Sequence, residues 1–326
     1  MRKALKILGI LVALILIFIT GAAVYIKGFL PDVGPAPDLK VEATPEKVER
    51  GRYLAHHVMI CVDCHSIRDF NYFAGPVDMN TLGRGGDIFD EKAGFPGKIV
   101  AANITPTGIG DWTDGELFRA ITTGVRKNGK PIFPVMPYHN YGKADPEDVE
   151  AVIAYIRTLP PLGEKTAESS YDFPMNFIVN TIPEKATPGK RPSPSDRLAY
   201  GKYLLTTASC GDCHTPFNEG TYDTSKWLAG GREFLMPGGK LTSANITPDK
   251  ETGIGNLTVD DFLERFRAYR DSSYAHRKID FMKDFATVMP WSNYAGMTDE
   301  DLSAIYEYLR TVPAVKHQIN KFEPRK

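Results

Sequence analysis

At 326 residues the chain is longer than one ordinary domain and suits two of common size with connecting segments. Hydrophobic residues make up 42% and charged residues 24%, the composition of a globular protein and not of a disordered or fibrous one. A formal net charge of −1 argues against a nucleic-acid partner, which calls for a basic field over one face.

The N-terminus carries Arg2, Lys3 and Lys6 and then runs apolar from Ile7 to Ile26 before Lys27. A helix of that length spans about 30 Å, the thickness of a bilayer core, whereas the apolar stretch of a cleaved signal is roughly 7 to 15 residues. The expectation is an uncleaved, single-pass anchor over 1–30 in a bacterial inner membrane, although Ala22 and Ala23 leave a cleavage site available. The basic residues mark the cytoplasmic side, which puts the rest of the chain in the periplasm. Residues 31–45, rich in proline and small or charged residues, read as a spacer.

The body then repeats. Gly51-Arg-Tyr-Leu54, Cys61 to His65, Asn103-Ile-Thr-Pro106, Gly108-Ile-Gly110, Val135-Met-Pro137 and Tyr155-Ile-Arg-Thr158 recur in order. Their counterparts are Gly201-Lys-Tyr-Leu204, Cys210 to His214, Asn245-Ile-Thr-Pro248, Gly253-Ile-Gly255, Val288-Met-Pro290 and Tyr308-Leu-Arg-Thr311. One order at near-constant offset predicts two copies of one domain, 46–160 and 196–313. Between them 161–195 is a linker, whose Phe173, Phe177, Ile178 and Ile182 predict packing along the first unit or between the two. Residues 314–326 form a C-terminal tail.

Within each copy, Thr113 with Glu116 and Thr258 with Asp261 have the spacing that starts a helix. Asp145-Pro146 and Thr298 start a second, with apolar residues at Val149, Val152, Ile153, Ile156 and at Leu302, Ile305, Tyr306, Leu309, one stripe at helical period. Both end before Pro160 and Pro313. Gly51 with Tyr155, and Gly201 with Tyr308, predict a close crossing of the first and last helices. No alternating strand pattern stands out, so the fold class is mainly α with long loops.

The four cysteines fall in Cys61-Val-Asp-Cys64-His65 and Cys210-Gly-Asp-Cys213-His214, with none left over. On a helical turn positions i and i+3 share a face, so two thiols can form thioethers with the two vinyl groups of one porphyrin, and the next histidine can bind its iron. Zinc or a dithiol redox pair are the alternatives. Zinc needs four ligands that two separate copies do not supply together, and exported dithiols oxidise. The expectation is two covalently bound haem c groups. Cys61, Cys64, Cys210 and Cys213 attach them, and His65 and His214 are proximal ligands.

Met136 follows His65 by 71 residues (136 − 65) and Met289 follows His214 by 75 (289 − 214), each in a Val-Met-Pro loop before the last helix. A thioether is a soft neutral donor that favours ferrous iron, and the adjacent proline stiffens its loop, so both are expected as sixth ligands. His56, His57, His139, His276 and Met282 compete and are read as packing or surface residues. The last two lie where the second copy is eight residues longer, since Gly255 to Met289 is 34 and Gly110 to Met136 is 26. The Asn-Ile-Thr elements read as turn chemistry, with bonding to a haem propionate as the functional alternative.

These residues resemble class I cytochrome c domains in tandem: CxxCH on an early helix, a methionine in a proline-bearing loop and a closing terminal helix, over residues 46–160 and 196–313. That resemblance implies a few helices around each haem and single-electron transfer. The Asn-Ile-Thr-Pro, Gly-Ile-Gly and Met-Pro elements are also similar to the cytochrome c subunits of membrane-bound alcohol, sorbitol and gluconate dehydrogenases, which carry three haem domains against two CxxCH motifs here. The reading is therefore a membrane diheme cytochrome, an electron carrier and not an enzyme, passing electrons between a redox protein donor and acceptor such as a dehydrogenase or terminal oxidase. A dehydrogenase subunit and a diheme peroxidase are the alternatives.

Overall fold

The computed structural model describes residues 2–325, apart from the side chains at 272 and 273; Met1 of the expected anchor and Lys326 of the expected tail lie outside the described residues. Helix α1 (Arg2–Phe29) has no residue buried against protein and is long and apolar enough to cross a membrane. Residues 31–44 have no regular structure but are not free. The Val41 amide donates to Asp114 at 2.9 Å, and Gly115 lies so close to the Pro37 carbonyl that a Cβ there would sit 1.8 Å from its oxygen.

The first half contains α2 (Pro45–Tyr53), α3 (Cys61–Cys64), β1 (Ile88–Phe89), β2 (Gly97–Val100), α4 (Pro106–Ile109), α5 (Asp114–Thr123), α6 (Tyr138–Tyr141) and α7 (Pro146–Ile156). It is followed by β3 (Ser170–Tyr171) and α8 (Met175–Ile178). The second half contains α9 (Arg197–Thr207), α10 (Cys210–Cys213), β4 (Phe217–Asn218), β5 (Thr221–Tyr222), β6 (Glu233–Met236) and β7 (Gly239–Thr242). Then come α11 (Val259–Arg267), α12 (Ser272–Ala275), α13 (Trp291–Tyr294), α14 (Asp299–Leu309) and β8 (Phe322–Pro324).

The helices start where their caps dictate. Thr113 and Thr258 each form a complete capping box with Glu116 and Asp261. Asp145, followed by Pro146 at the first helical position, caps α7, and Thr298 caps α14. Val149, Val152, Ile153 and Ile156 are buried, as are Leu302, Ile305 and Leu309, so each terminal helix presents one apolar stripe to the core. Across it runs the first helix of the same half. A Cβ on Gly51 would lie 1.8 Å from the Ala151 carbonyl oxygen, and one on Gly201 1.9 Å from that of Ala304. Tyr155 and Tyr308 flank these crossings.

The halves differ by one residue between this glycine and the first cysteine, 10 positions in one (61 − 51) and 9 in the other (210 − 201). The extra residue is absorbed as a π-helical stretch, Leu54–Val58, where α9 stays α-helical.

The mainly helical expectation stands, but among the described residues eight short strands accompany the helices, none longer than four residues. Runs of two to four residues are too short to show a period of two, so pattern reading passes over them. In each half a strand from beyond the terminal helix extends an antiparallel pair: β3 beside β2, and β8 beside β7. Both connecting segments are therefore docked, 161–195 along the first half and the C-terminal segment along the second.

The halves contact each other reciprocally. Tyr53 Oη donates to Asp301 at 2.6 Å and accepts from the Thr298 amide at 3.2 Å; Tyr203 Oη donates to Asp148 at 2.6 Å and accepts from the Asp145 amide at 3.2 Å. Asn293 Nδ2 reaches the His56 carbonyl at 3.2 Å, and Asn140 Nδ2 reaches Asp212 at 3.1 Å. The same surface of each copy meets its equivalent, the geometry of an isologous dimer written into one chain. Symmetry breaks at the longer loop of the second half, which clasps the first. The Phe73 amide donates to Arg277 O at 2.9 Å, the Ile279 amide to Asn71 O at 3.0 Å, and Phe70 stacks on Phe281 at 4.7 Å.

Candidate functional site

Each CxxCH motif is a single helical turn entered through a left-handed residue: Ile60 at φ 45°, ψ 39° before α3, and Ser209 at φ 56°, ψ 29° before α10. Neither is glycine, and such a conformation costs about 1–2 kcal/mol per residue. Its recurrence at the same place marks a corner that aims the cysteine turn away from the preceding helix. The turn closes through the His65 amide on Cys61 O at 3.1 Å and the His214 amide on Cys210 O at 2.9 Å.

The imidazoles are oriented alike. His65 Nδ1 donates to the Ala102 carbonyl at 2.6 Å and His214 Nδ1 to the Ala244 carbonyl at 2.7 Å. Donation to a carbonyl requires the proton on Nδ1, which leaves the Nε2 lone pair free for a metal. Burial lowers both pKa values, opposed by the carbonyl bond, so both rings are neutral at physiological pH.

The acceptor carbonyls are themselves braced, and here the Asn-Ile-Thr elements find their use. Asn103 Oδ1 accepts from the Thr105 amide at 2.9 Å and hydroxyl at 2.7 Å, while its Nδ2 donates to Leu162 O at 2.8 Å and Glu164 O at 3.0 Å. Asn245 accepts from Thr247 at 2.9 and 2.8 Å and donates to Val315 O at 2.8 Å and Thr252 Oγ1 at 3.0 Å. Both asparagines are buried with their hydrogen-bonding capacity spent on protein. The propionate alternative gives way to a bracing role, because no polar atom of either amide is left over. Gly85 (φ +68°) and Gly230 (φ +72°) complete the brace, since a Cβ on either would lie within 2.6 Å of the backbone around the acceptor alanine.

The methionine loops are matched as well. Met136 and Met289 are half-buried against the core, each followed by a proline and a short helix. From those helices Tyr141 Oη donates to Met59 O at 2.7 Å and Tyr294 Oη to Ala208 O at 2.6 Å, tying each loop to the segment two residues before its own first cysteine.

A cavity of about 2350 Å³ unites the two motifs. Cys61, Cys64, His65, Met136 and Cys213 line it directly. Cys210, His214 and Met289 do not, but their neighbours Ser209, Asp212, Val288 and Pro290 do. All four thiols are unpaired, and burial pushes those of Cys61 and Cys210 up to about 12. Among the described residues no three His, Cys, Asp or Glu side chains gather in one cluster.

The fit to a haem carrying covalent and carboxylate attachments is good. Arg68, Arg126 and Arg232 line the cavity, and Tyr138 Oη and Ser209 Oγ are buried beside it without hydrogen-bond partners. The competing ligands have other partners or are exposed, and two of them, His139 and Met282, also line the cavity. His56 meets Tyr155 Oη at 2.6 Å, His57 the Asn293 carbonyl at 2.9 Å, and His139 Asp212 at 3.1 Å, while the His276 ring packs edge-on against Tyr72 and Met282 is exposed.

Sequence reading missed the carbonyls of Ala102 and Ala244, the two left-handed corners, and Tyr141 and Tyr294. Aligning the repeats offers two signals: an alanine precedes each asparagine, and a tyrosine stands five residues after each methionine.

Comparison with known proteins agrees with this geometry. The Cytochrome c family model matches residues 198–313. The cytochrome c subunit of the quinone alcohol dehydrogenase of Gluconacetobacter polyoxogenes is 27% identical over 291 residues, which cover 84% of this chain and 58% of that subunit. The gluconate 2-dehydrogenase cytochrome c subunit of Pantoea cypripedii is 29% identical, covering 84% and 61%. This chain thus spans about three fifths of the length of those subunits. A diheme cytochrome c-type protein of Cereibacter sphaeroides is 32% identical over 233 residues, 68% of this chain and 73% of the relative. With duplicated CxxCH turns, matched histidine clamps and this similarity, the chain belongs to the cytochrome c family.

Proposed function

We propose that the protein is a membrane-anchored, two-centre electron relay built from two tandem cytochrome c domains, 46–160 and 196–313, facing the periplasm from a bacterial inner membrane. Cys61 and Cys64 hold one haem c and Cys210 and Cys213 the other. His65 and Met136 bind the first iron, and His214 and Met289 the second. When bound, each haem supplies an iron that exchanges a single electron between ferric and ferrous states. The chain's own part is to fix the imidazole tautomer, hold the thioether loop, exclude water and keep both centres in one cavity. The observation that carries this reading is the repetition, in both halves, of the same corner, histidine clamp and tyrosine-tied methionine loop.

The names of the relatives favour a dehydrogenase as electron donor, with this chain as a cytochrome subunit or a free-standing carrier that is not itself an enzyme. The peroxidase alternative is disfavoured by the two matched methionine loops, while the long loop of the second half both clasps the first and brings Phe281 and Met282 to the cavity. The test is spectroscopic. The sulfur-to-iron charge-transfer band of the oxidised full-length protein should fall by half in Met136→Ala and in Met289→Ala and vanish in the double variant. Persistence of the band in the double variant, or rapid peroxide turnover by the parent, contradicts the relay.

A further inference from the structure

We propose that the Phe173–Ile178 segment is a second membrane contact, inserting into the outer leaflet beside α1 and fixing how the haem-bearing body is oriented on the lipid surface. The proposal rests on the reading of α1 as a membrane span. Phe173 is 81% exposed, more than any other large apolar side chain described, including those of α1. A single exposed ring is common on a water-facing surface, so its meaning lies in where it sits.

Its surroundings say what covers it. Lys27, the basic residue that closes the apolar run of α1, places its ammonium 4.8 Å from the centre of the Phe177 ring and donates to the Asn176 carbonyl. Phe177 in turn meets Phe173 edge-on, with ring centres 6.4 Å apart. One chain of contacts therefore leads from the last charged residue of the span to the bare ring. A lysine at that position lies at headgroup level, and aromatic side chains are favoured at that same level. Val179 and Asn180 are buried in the body and Met175 and Ile178 line the cavity, so the segment is held from behind by protein while the Phe173 ring stays uncovered. Such an arrangement converts a single flexible tether into a two-point attachment, because a lone helix fixes distance from the membrane but not rotation about its own axis.

The experiment places the photoreactive amino acid p-benzoylphenylalanine at Phe173, and separately at Tyr25 within α1, in the full-length haem-loaded protein in phospholipid vesicles. After irradiation, mass spectrometry should find a phospholipid adduct at both positions. An adduct at 25 with none at 173, or a protein adduct at 173, overturns the second contact and leaves the span intact. No adduct at either position overturns the span, and the second contact with it.

Discussion

Replacing the two interface tyrosines by phenylalanine separates the pseudo-symmetry of the halves from their chemistry. Tyr53 and Tyr203 occupy equivalent places and each donates to a buried carboxylate of the other half at 2.6 Å. Their acceptors differ. Asp148 also takes a two-pronged bond from Arg50 at 3.0 and 2.9 Å and an ion pair from Arg191, so its charge stays compensated after Tyr203 loses its hydroxyl. Asp301 has no ion pair among the described residues, and besides Tyr53 its side-chain partner is Tyr200. A hydrogen bond to a charged group contributes about 1.5–3 kcal/mol, and the loss lies near the upper end when the charge is left short of partners. Tyr53→Phe should therefore cost about 2–3 kcal/mol and Tyr203→Phe about 1–1.5 kcal/mol, about 4–12 °C and about 2–6 °C in Tm at about 2–4 °C per kcal/mol. Thermal unfolding of the detergent-solubilised protein, followed by circular dichroism, reads the difference. Equal losses, or a larger loss for Tyr203→Phe, would refute the reasoning from unequal compensation.

Two further outcomes follow from other sites. Burial, and then the charge of His57, pull the His56 pKa from 6.5 down to about 4. The unfolded chain therefore takes up this proton before the folded one does. The contribution is intact above about pH 6.5 and is lost as the pH falls toward about 4. The urea midpoint should drop over that window, and His56→Gln should flatten the drop; an unchanged slope would contradict it. Ser209 combines a left-handed backbone with a buried, unpartnered hydroxyl. In the haem-free protein Ser209→Gly relieves both against an entropy cost of about 0.5–1 kcal/mol and should stabilise by about 1 kcal/mol, read as a rise in urea midpoint, whereas in the haem-loaded protein, where a haem carboxylate can take the hydroxyl, the gain should shrink. A fall in the haem-free protein would contradict the strain argument.

What was legible in the sequence was whatever local chemistry writes in few residues. The capping boxes at Thr113 and Thr258, the stripe from Val149 to Ile156, the Gly51 and Gly201 crossings and the CxxCH turns each depend on neighbours a few positions apart or on one glycine meeting a backbone. What was not legible depends on partners far along the chain. The Ala102 and Ala244 carbonyls look like any others until a histidine 37 or 30 residues away is folded against them. Asn103 reads as a turn residue, and its role as a brace appears only once Leu162 is placed beside it. The reciprocal Tyr53 and Tyr203 bonds span 248 and 55 residues and cross between copies, where repeat alignment shows equivalence but not contact. The longer second loop was visible as an asymmetry, and its use as a clasp was not.

The claim on which the rest depends is that each CxxCH turn holds its own haem. Intact-protein mass spectrometry with quantitation of haem iron tests it directly on the full-length chain and on Cys61→Ala and Cys210→Ala. The parent should carry two covalent haems, and each variant should lose the bond to one thiol at its own half while the other half keeps both. A parent with a single haem, or one with zinc and no haem absorbance, would contradict the account.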